Sequence, residues 1–399
     1  IDNAPRPGDL VPDLSPIVAG LGAFSAHLSA QGASDKALGP LTRLQAKVKK
    51  LVDSLPQPTP PPASEFALAN LRGRDFSGQQ LQGAVFEQAD LNNAKFVGTD
   101  LTGANFRKAD LTKADLTGAI LIDADFSRAT VAKANLTNVR ADRARFVDAD
   151  LSEAILINAQ IPAGRFEQAK LTKADLQRAN LQAADMGSFT KCRLQDANLQ
   201  GARSSMGSLS GSDMSRADLS NCNFEKVDFM KSVADGANFD DGNLQQAILR
   251  DTKAIGATFR RTRICGAAAT GEADFSKCLF VGADGTQSTW MDVNLTGADF
   301  SHSSFPRAYF QSCTGEDVNF ESAQLKGACF RRVVLIRPRF ATANLCSADF
   351  TCAELNDANF RGANCYDVKL LGAKAIRSDF QEAFTVALQL DDPNQKESS

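Results

Sequence analysis

The residues that could perform acid–base or nucleophilic chemistry are few and far apart along the chain. The only histidines are His27 and His302, which lie in different parts of the sequence, so no Ser–His–acid or Cys–His set can be assembled. Neither a phosphate-binding glycine loop nor a dinucleotide-binding glycine pattern is present. Carboxylates are abundant but evenly spread, so neighbouring pairs will arise by chance. We therefore expect a protein that is not an enzyme, with no catalytic residues and no cofactor.

Nine cysteines are the other reactive side chains, and their spacing argues against a disulfide framework or a zinc site. Both kinds of site need paired spacings, which this chain lacks. We expect nine reduced thiols and no metal ion. Four of them should be packing residues at small, inward positions of the repeat described next: Cys192, Cys222, Cys278 and Cys313.

A unit of five residues repeats through most of the chain, as in ADLTKADLTGA (109–119). Its centre is Leu or Phe, a small residue stands two positions earlier, and Asp or Asn often stands between them. Centres recur every five residues over 66–186, 189–269 and 275–380, with phase slips near 186–194 and 269–275. A period of five fits neither an amphipathic helix nor a simple strand, so a coil that turns after every unit is indicated.

The positions of the phenylalanines test this register, because a buried centre should attract large apolar rings. The chain has 26 Phe against 2 Tyr and 1 Trp, and every Phe except Phe24 and Phe384 falls on a centre. Phe alternates with Leu from Phe66 to Phe106 and again from Phe320 to Phe360. Alternation every second unit predicts four sides to a coil, with residues four units apart stacked in columns.

These units resemble the pentapeptide-repeat family, whose motif is A(D/N)Lxx, over most of the chain. The resemblance implies an all-β solenoid, a right-handed quadrilateral β-helix with four units per coil. Residues 64–382 would then form about 16 coils. At about 4.8 Å per coil, the rod would be roughly 75–80 Å long.

The ends differ from the repeat. Residues 1–55 are expected to be helical, since Leu41, Leu44, Val48 and Leu51 form one apolar stripe. Residues 56–63 read as a stiff Pro-rich linker, and 383–399 as a C-terminal cap and a disordered tail. The helical segment could cap the first coil, tether an upstream domain or dock a partner.

No signal peptide or span long enough to cross a bilayer is visible, so a cytoplasmic chain without membrane insertion is expected. Ile1 is not a natural start, and an upstream domain could be missing. The order of helical segment, linker and repeats also resembles, loosely, the repeat tails of adaptors linked to bacterial type VI secretion.

Irregular units are the places where a partner could bind, although drift in a tolerant scaffold explains them as well. Trp290 is too large for an ordinary centre, so it should force a bulge or face outward. Pro338 on a small, inward position predicts a departure from the regular coil. Two arginine clusters complete the candidate partner-binding set: Arg260, Arg261 and Arg263, and Arg331, Arg332, Arg337 and Arg339.

Two functions remain open. One is a non-catalytic scaffold or adaptor that binds a protein partner. The other is a DNA mimic that blocks a topoisomerase such as gyrase, as in the Qnr-like branch of the family that this sequence resembles. Mimicry needs a strongly acidic surface, whereas residues 64–384 carry 37 Lys and Arg against 39 Asp and Glu. Direct nucleic-acid binding is not expected, and the C-terminal segment could form an end-to-end homodimer.

Overall fold

The computed structural model describes Lys47 and residues 66–204 and 206–390. The chain divides into two compact units, Ile1–Pro61 and Pro62–Ser399. All described residues except Lys47 belong to the second unit, to which the following description applies. The predicted linker 56–63, the tail beyond 390 and the predicted helical segment, Lys47 apart, lie outside the described residues.

In a regular five-residue unit, backbone hydrogen bonds close a turn and join the unit to the neighbouring coils. In the unit centred on Leu111, the Ala114 N–H donates to the Leu111 carbonyl (2.9 Å) and closes a turn. The Leu111 N–H donates to the Thr130 carbonyl (2.7 Å) and the Lys113 N–H to the Ala132 carbonyl (3.0 Å), both on the next coil. Because the chain turns within most units, its extended segments are no longer than three residues.

The corner of each unit lies two residues after the centre and adopts a left-handed backbone conformation. Lys113 has φ 60° there, and Gly73, Gly83 and Gly103 occupy the same corner position in other units. Asp or Asn before the centre is explained by the same turn: the Asp110 carboxylate accepts the Thr112 N–H at 2.9 Å. Short polar side chains favour turns because they can bond the backbone two residues on.

Parallel backbone bridges join residues one coil apart and form four ladders, which begin at Asn70, Asp75, Gln80 and Val85. We call the outward surface along each ladder the first, second, third and fourth face. Five ladder segments are long enough to be strands: β1 (Ala268–Ala269), β2 (Thr289–Trp290), β3 (Thr314–Glu316), β4 (Val334–Ile336) and β5 (Glu354–Asn356). β1 pairs with β2 on the first face, and β3, β4 and β5 pair in that order on the second. Residues 66–204 and 206–390 are thus all-β.

The bridges keep a constant spacing of 20 residues except at the two phase slips. At the first slip Lys170 pairs with Ser188 rather than with Thr190, so one unit has lost two residues. At the second slip Lys253 pairs with Asp274 rather than with Ala273, because one residue is inserted. The ladders run through both slips and extend beyond the predicted end at 382, since Lys369 still pairs with Gln389.

The interior is filled by centre residues stacked in columns, as the alternation of Phe and Leu predicts. Rings one coil apart lie parallel, with centroids 4.9 Å apart for Phe86 and Phe106. Rings two units apart meet edge to face, with centroids 5.6 Å apart for Phe86 and Phe96. Each centre is thus held both by its column and by the column across the coil.

Pro338 departs from the regular turn in a specific way. It is buried and directly follows the unit that contains β4. In the equivalent β5 unit, the Ala358 N–H donates to Ser378 Oγ (3.3 Å) on the next coil instead of closing the turn. A proline, which has no N–H, therefore fits here without the loss of a turn hydrogen bond.

Replacing Lys113 by Glu should leave the free energy of unfolding unchanged within about 0.5 kcal/mol, because surface substitutions away from specific contacts are nearly neutral. Lys113 is exposed and forms no ion pair with the described residues. Urea denaturation followed by circular dichroism would check this expectation. A clear loss of stability would show that the corner is not an outward position.

Candidate functional site

The two predicted arginine clusters do not form basic patches, because the chain turns a corner in every unit. Arg260 and Arg261 follow a ladder position on the third face, whereas Arg263 lies on the fourth. The second cluster is divided among three faces, with Arg331 on the first and Arg339 on the third. Closeness in sequence therefore does not produce closeness on the surface.

Several corner arginines are neutralised by an aspartate one coil earlier. Arg261 holds Asp241 with two hydrogen bonds, 2.7 Å and 2.6 Å long. Arg337 holds Asp317 in the same way, with both bonds at 2.9 Å. The hydrogen bonds from Arg261 hold the pKa of the Asp241 carboxyl below its usual value. Equivalent pairs join Arg143 to Asp123, Arg216 to Asp196 and Arg377 to Asp357.

The remaining arginines of the clusters are bound more loosely. Arg260 lies 3.5 Å from the Asp240 carboxylate, and Arg331 lies 3.5 Å from that of Asp349. Within residues 66–204 and 206–390, ion pairs are absent at Arg263, Arg332 and Arg339. Exposed pairs of this kind stabilise a fold by at most about 1 kcal/mol.

The expectation that Trp290 forces a bulge or faces outward is wrong, because the ring is buried at a centre. Its side chain is 1% exposed and lies at a centre, on top of the small centre Ala269 of the preceding coil. The indole N–H donates to Ser288 Oγ (2.8 Å), so its polar atom is satisfied in the core. Trp290 therefore offers no surface to a partner.

The apolar stripe predicted as a partner dock lies outside the described residues. Its members are Leu41, Leu44, Val48 and Leu51.

The pentapeptide-repeat profile matches most of the chain, which decides the family. Its matches cover residues 69–107, 99–138, 132–161, 164–187, 192–229, 235–267, 294–332, 328–364 and 339–374. The chain belongs to the pentapeptide-repeat family. No curated protein matches its sequence.

Three solved structures illustrate how this pentapeptide-repeat protein resembles others. A pentapeptide-repeat protein of the Arabidopsis thaliana thylakoid lumen is 36% identical, over 29% of this chain and 71% of its own, with a TM-score of 0.18. HetL of the cyanobacterium Nostoc, involved in heterocyst differentiation regulation, is 24% identical over 70% and 86%, with a TM-score of 0.15. QnrB1, a plasmid-mediated fluoroquinolone resistance protein, is 17% identical over 47% and 92%, with a TM-score of 0.19.

Charge is mixed on the faces of this pentapeptide-repeat protein. The third face has the largest imbalance among the described residues, with six Lys and Arg against ten Asp and Glu. Two of its acidic residues, Asp123 and Asp241, are held by corner arginines. The first face has the opposite sign, with eleven basic and nine acidic residues.

The C-terminal end of the coil stack has an apolar surface. Leu370, Ala375 and Phe380 are only partly buried there. They line a depression of about 350 Å³ together with Leu388 and Leu390.

Among the described residues, no helix is both long and apolar enough to cross a membrane.

The predicted packing cysteines are buried as unpaired thiols. Cys192 donates its S–H to the Leu171 carbonyl (2.7 Å), and Cys278 donates to the Ala254 carbonyl (2.8 Å). Thr252, at the same inward position of another unit, donates likewise to the Phe229 carbonyl (2.9 Å). The inward position thus accepts small polar groups because a carbonyl of the preceding coil is within reach.

Burial makes these thiols poor nucleophiles. It raises the pKa of Cys192, Cys222 and Cys313 to about 12 and that of Cys365 to about 11. An unfolded thiol ionises near its ordinary pKa of 9.0, whereas the folded thiol stays protonated. The stability that these thiols contribute is therefore present below pH 9 and is lost as the pH rises toward the folded-state pKa values.

In a native titration with Ellman's reagent near pH 8, Cys352 and Cys346 should react first, because they are exposed and half-buried, respectively. The buried thiols should react only after unfolding, since the thiolate is the reactive form. A Cys352→Ser variant should lose one fast-reacting thiol. Equal, rapid reaction of all nine thiols in the native chain would contradict the predicted burial.

Proposed function

We propose that this pentapeptide-repeat protein is a non-catalytic scaffold or adaptor that binds a protein partner through its outward faces. The observation that carries this proposal is the filled interior: centres such as Phe86, Leu111 and Phe330 are fully buried in one continuous core. A filled core leaves no interior cleft in which a substrate could be enclosed, whereas the outward side chains stand on regular ladders. The four ladders are inferred to close into a right-handed quadrilateral solenoid of about 16 coils, roughly 75–80 Å long at about 4.8 Å per coil.

The scaffold proposal is tested by affinity capture from the native cell followed by mass spectrometry. The whole chain and residues 64–384 serve as two baits. A partner enriched with both baits would support binding to the repeat, and a partner enriched with the whole chain alone would assign binding to a terminal segment. The proposal would be contradicted if neither bait enriched a protein over an unrelated solenoid of similar charge, or if enrichment needed a terminal segment.

DNA mimicry remains the alternative, and the charge distribution favours it less. A mimic needs a continuous acidic stripe, whereas the most acidic face carries Arg140, Arg143, Arg260 and Arg261 among its carboxylates. A gyrase supercoiling assay separates the two functions. Inhibition of gyrase by micromolar concentrations of this chain would favour mimicry. Undiminished supercoiling would leave the scaffold as the favoured function.

Three further features belong to the same proposal. The protein acts in the cytoplasm, and a role in bacterial secretion is suggested only by its order of segments. Two copies associate end to end through the apolar C-terminal surface, where Phe380 and Leu388 are partly exposed. Sedimentation of the wild type and of a Leu388→Asp variant tests this contact, since a dimer should dissociate when a charge enters the apolar surface.

A further inference from the structure

A row of lysines follows one corner of the coil stack. The corner after the first face carries lysine in five of seven successive coils. We call this row the lysine edge; its members are Lys113, Lys133, Lys173, Lys191 and Lys231. All five are exposed and have φ between 57° and 63°, so their side chains leave equivalent backbone positions. Six coil steps separate the first from the last, which is roughly 29 Å at about 4.8 Å per step.

Most of the lysine edge is electrostatically unsatisfied. Lys133 lies 3.7 Å from the Glu153 carboxylate, but within residues 66–204 and 206–390 the other four have no carboxylate in salt-bridge range. The corner arginines differ, since Arg143 and Arg216 each hold an aspartate one coil earlier with two hydrogen bonds. The fold thus pairs these corner arginines internally and leaves the lysine edge available.

The face beside the middle of the lysine edge is free of acidic residues. Between Lys170 and Gly211 the outward positions of the first face carry only lysine, glycine and hydroxyl side chains. The hydroxyl residues are Thr172, Ser188, Thr190, Ser208 and Ser210. The first phase slip lies in this stretch, since Lys170 pairs with Ser188 there. Ser210 donates its hydroxyl to the Met230 carbonyl (3.0 Å), and the hydroxyls of Ser188 and Thr190 share one hydrogen bond (3.0 Å). The lysines therefore supply the charge, and the remaining hydroxyl hydrogens can be donated to an anion.

We propose that the lysine edge binds an extended acidic polypeptide segment of the protein partner. This inference rests on the proposed scaffold function and deepens it by assigning the binding surface and the chemistry of the partner. Carboxylates on one side of an extended chain recur about every 6.6–6.8 Å. The lysines are spaced by one or two coil steps, roughly 4.8 or 9.6 Å, and their long side chains can bridge the difference.

A nucleic acid fits the same surface less well. The first face carries only two more basic than acidic residues, and Asp150, Glu153 and Asp228 lie along it. Phosphate backbones need a strongly basic surface, because their binding derives from neutralising many phosphates at once. A short acidic peptide needs only the few unpaired lysines.

The test uses the full chain and a fluorescein-labelled oligoglutamate peptide, with binding followed by fluorescence anisotropy. The edge variant replaces Lys113, Lys173, Lys191 and Lys231 by Gln. Four exposed charge contacts, each worth roughly 1.5- to fivefold, should together weaken binding about fivefold or more. Added salt should weaken the wild type and have little effect on the edge variant, because exposed charges are screened.

The matched control replaces four exposed lysines elsewhere, Lys95, Lys108, Lys277 and Lys326, by Gln. It should bind the peptide within about twofold of the wild type, since it has the same net charge as the edge variant and an intact lysine edge. Thermal melts of both variants should match the wild type, which separates a binding defect from misfolding.

Three results would overturn the proposal: no binding of the peptide, equal weakening by both variants, or tighter edge-dependent binding of an oligothymidylate of equal charge. Affinity capture keeps the two proposals apart. If a partner were recovered equally well with the edge variant, the lysine edge would not be its binding surface, and the scaffold proposal would stand. Peptide binding that depends on the edge, without any captured partner, would support the edge and contradict the scaffold.

Discussion

Replacing Phe330 by Asp is expected to unfold the C-terminal coils. Phe330 is fully buried, and its ring is stacked between Phe310 at 5.0 Å and Phe350 at 4.7 Å. The variant loses these contacts, which alone cost about 3–5 kcal/mol in Phe→Ala substitutions. It also buries a carboxylate without a partner, which adds to the loss.

Because each coil contacts only its neighbours, the damage should stay local. Hydrogen exchange read by mass spectrometry should show lost protection in the coils around residue 330, with protection kept near residue 111. Phe330→Leu is the matched control, since Leu occupies the centres at Leu325 and Leu335. If Phe330→Asp melted with the wild type, the assignment of Phe330 to the core would be wrong.

Replacing Trp290 by Ala should reduce the free energy of unfolding of the surrounding coils by about 3–5 kcal/mol, the usual range for removing a large buried ring. The indole packs edge to face against Phe275 and Phe280, with centroids 5.2 Å and 5.3 Å away. Circular dichroism in urea would measure the loss, because the variant has no tryptophan fluorescence.

Trp290→Phe should cost less, since Phe is the usual large residue at a centre and keeps part of the ring packing, although the hydrogen bond to Ser288 and some buried volume are lost. A loss for Trp290→Ala of under about 1 kcal/mol, the range of surface positions, would show that the ring does not pack in the core.

The five-residue register could be predicted from the sequence because each unit carries its own signal. A small residue, a centre and a turn residue recur locally, and every Phe between residues 66 and 380 stands at a centre. The neighbours of Trp290 carry no such signal. The indole fits because the centre before it in the column is Ala269, which lies one coil earlier across a phase slip.

The packing around Gly285 could not be predicted from the local pattern either. A Cβ atom there would lie 2.0 Å from Cε1 of Phe305, so the Phe305 ring occupies the space that a side chain at 285 would need. This compensation spans two coils and depends on ring orientation, which a linear pattern does not specify.

The arginines of the two predicted clusters do not lie together on the surface, for a related reason. Consecutive units face different directions, so neighbours on the surface are separated in sequence by a whole coil. A search for charges at that spacing would have found the Asp123–Arg143 and Asp241–Arg261 pairs and, once the deletion near Ser188 is allowed for, the lysine edge. The sequence therefore contained the signal, but at the period of the coil and not at the period of the unit.

The backbone hydrogen bonds between coils have a mechanical consequence. Because they join each coil to the next, a pulling force applied to the two ends of the repeat should peel coils off one at a time. Each rupture would free about 20 residues, or roughly 66–72 Å of extended chain. A force–extension trace should therefore be a sawtooth of nearly equal steps, with weaker peaks at the coils that contain the deletion near Ser188 and the insertion near Gly271.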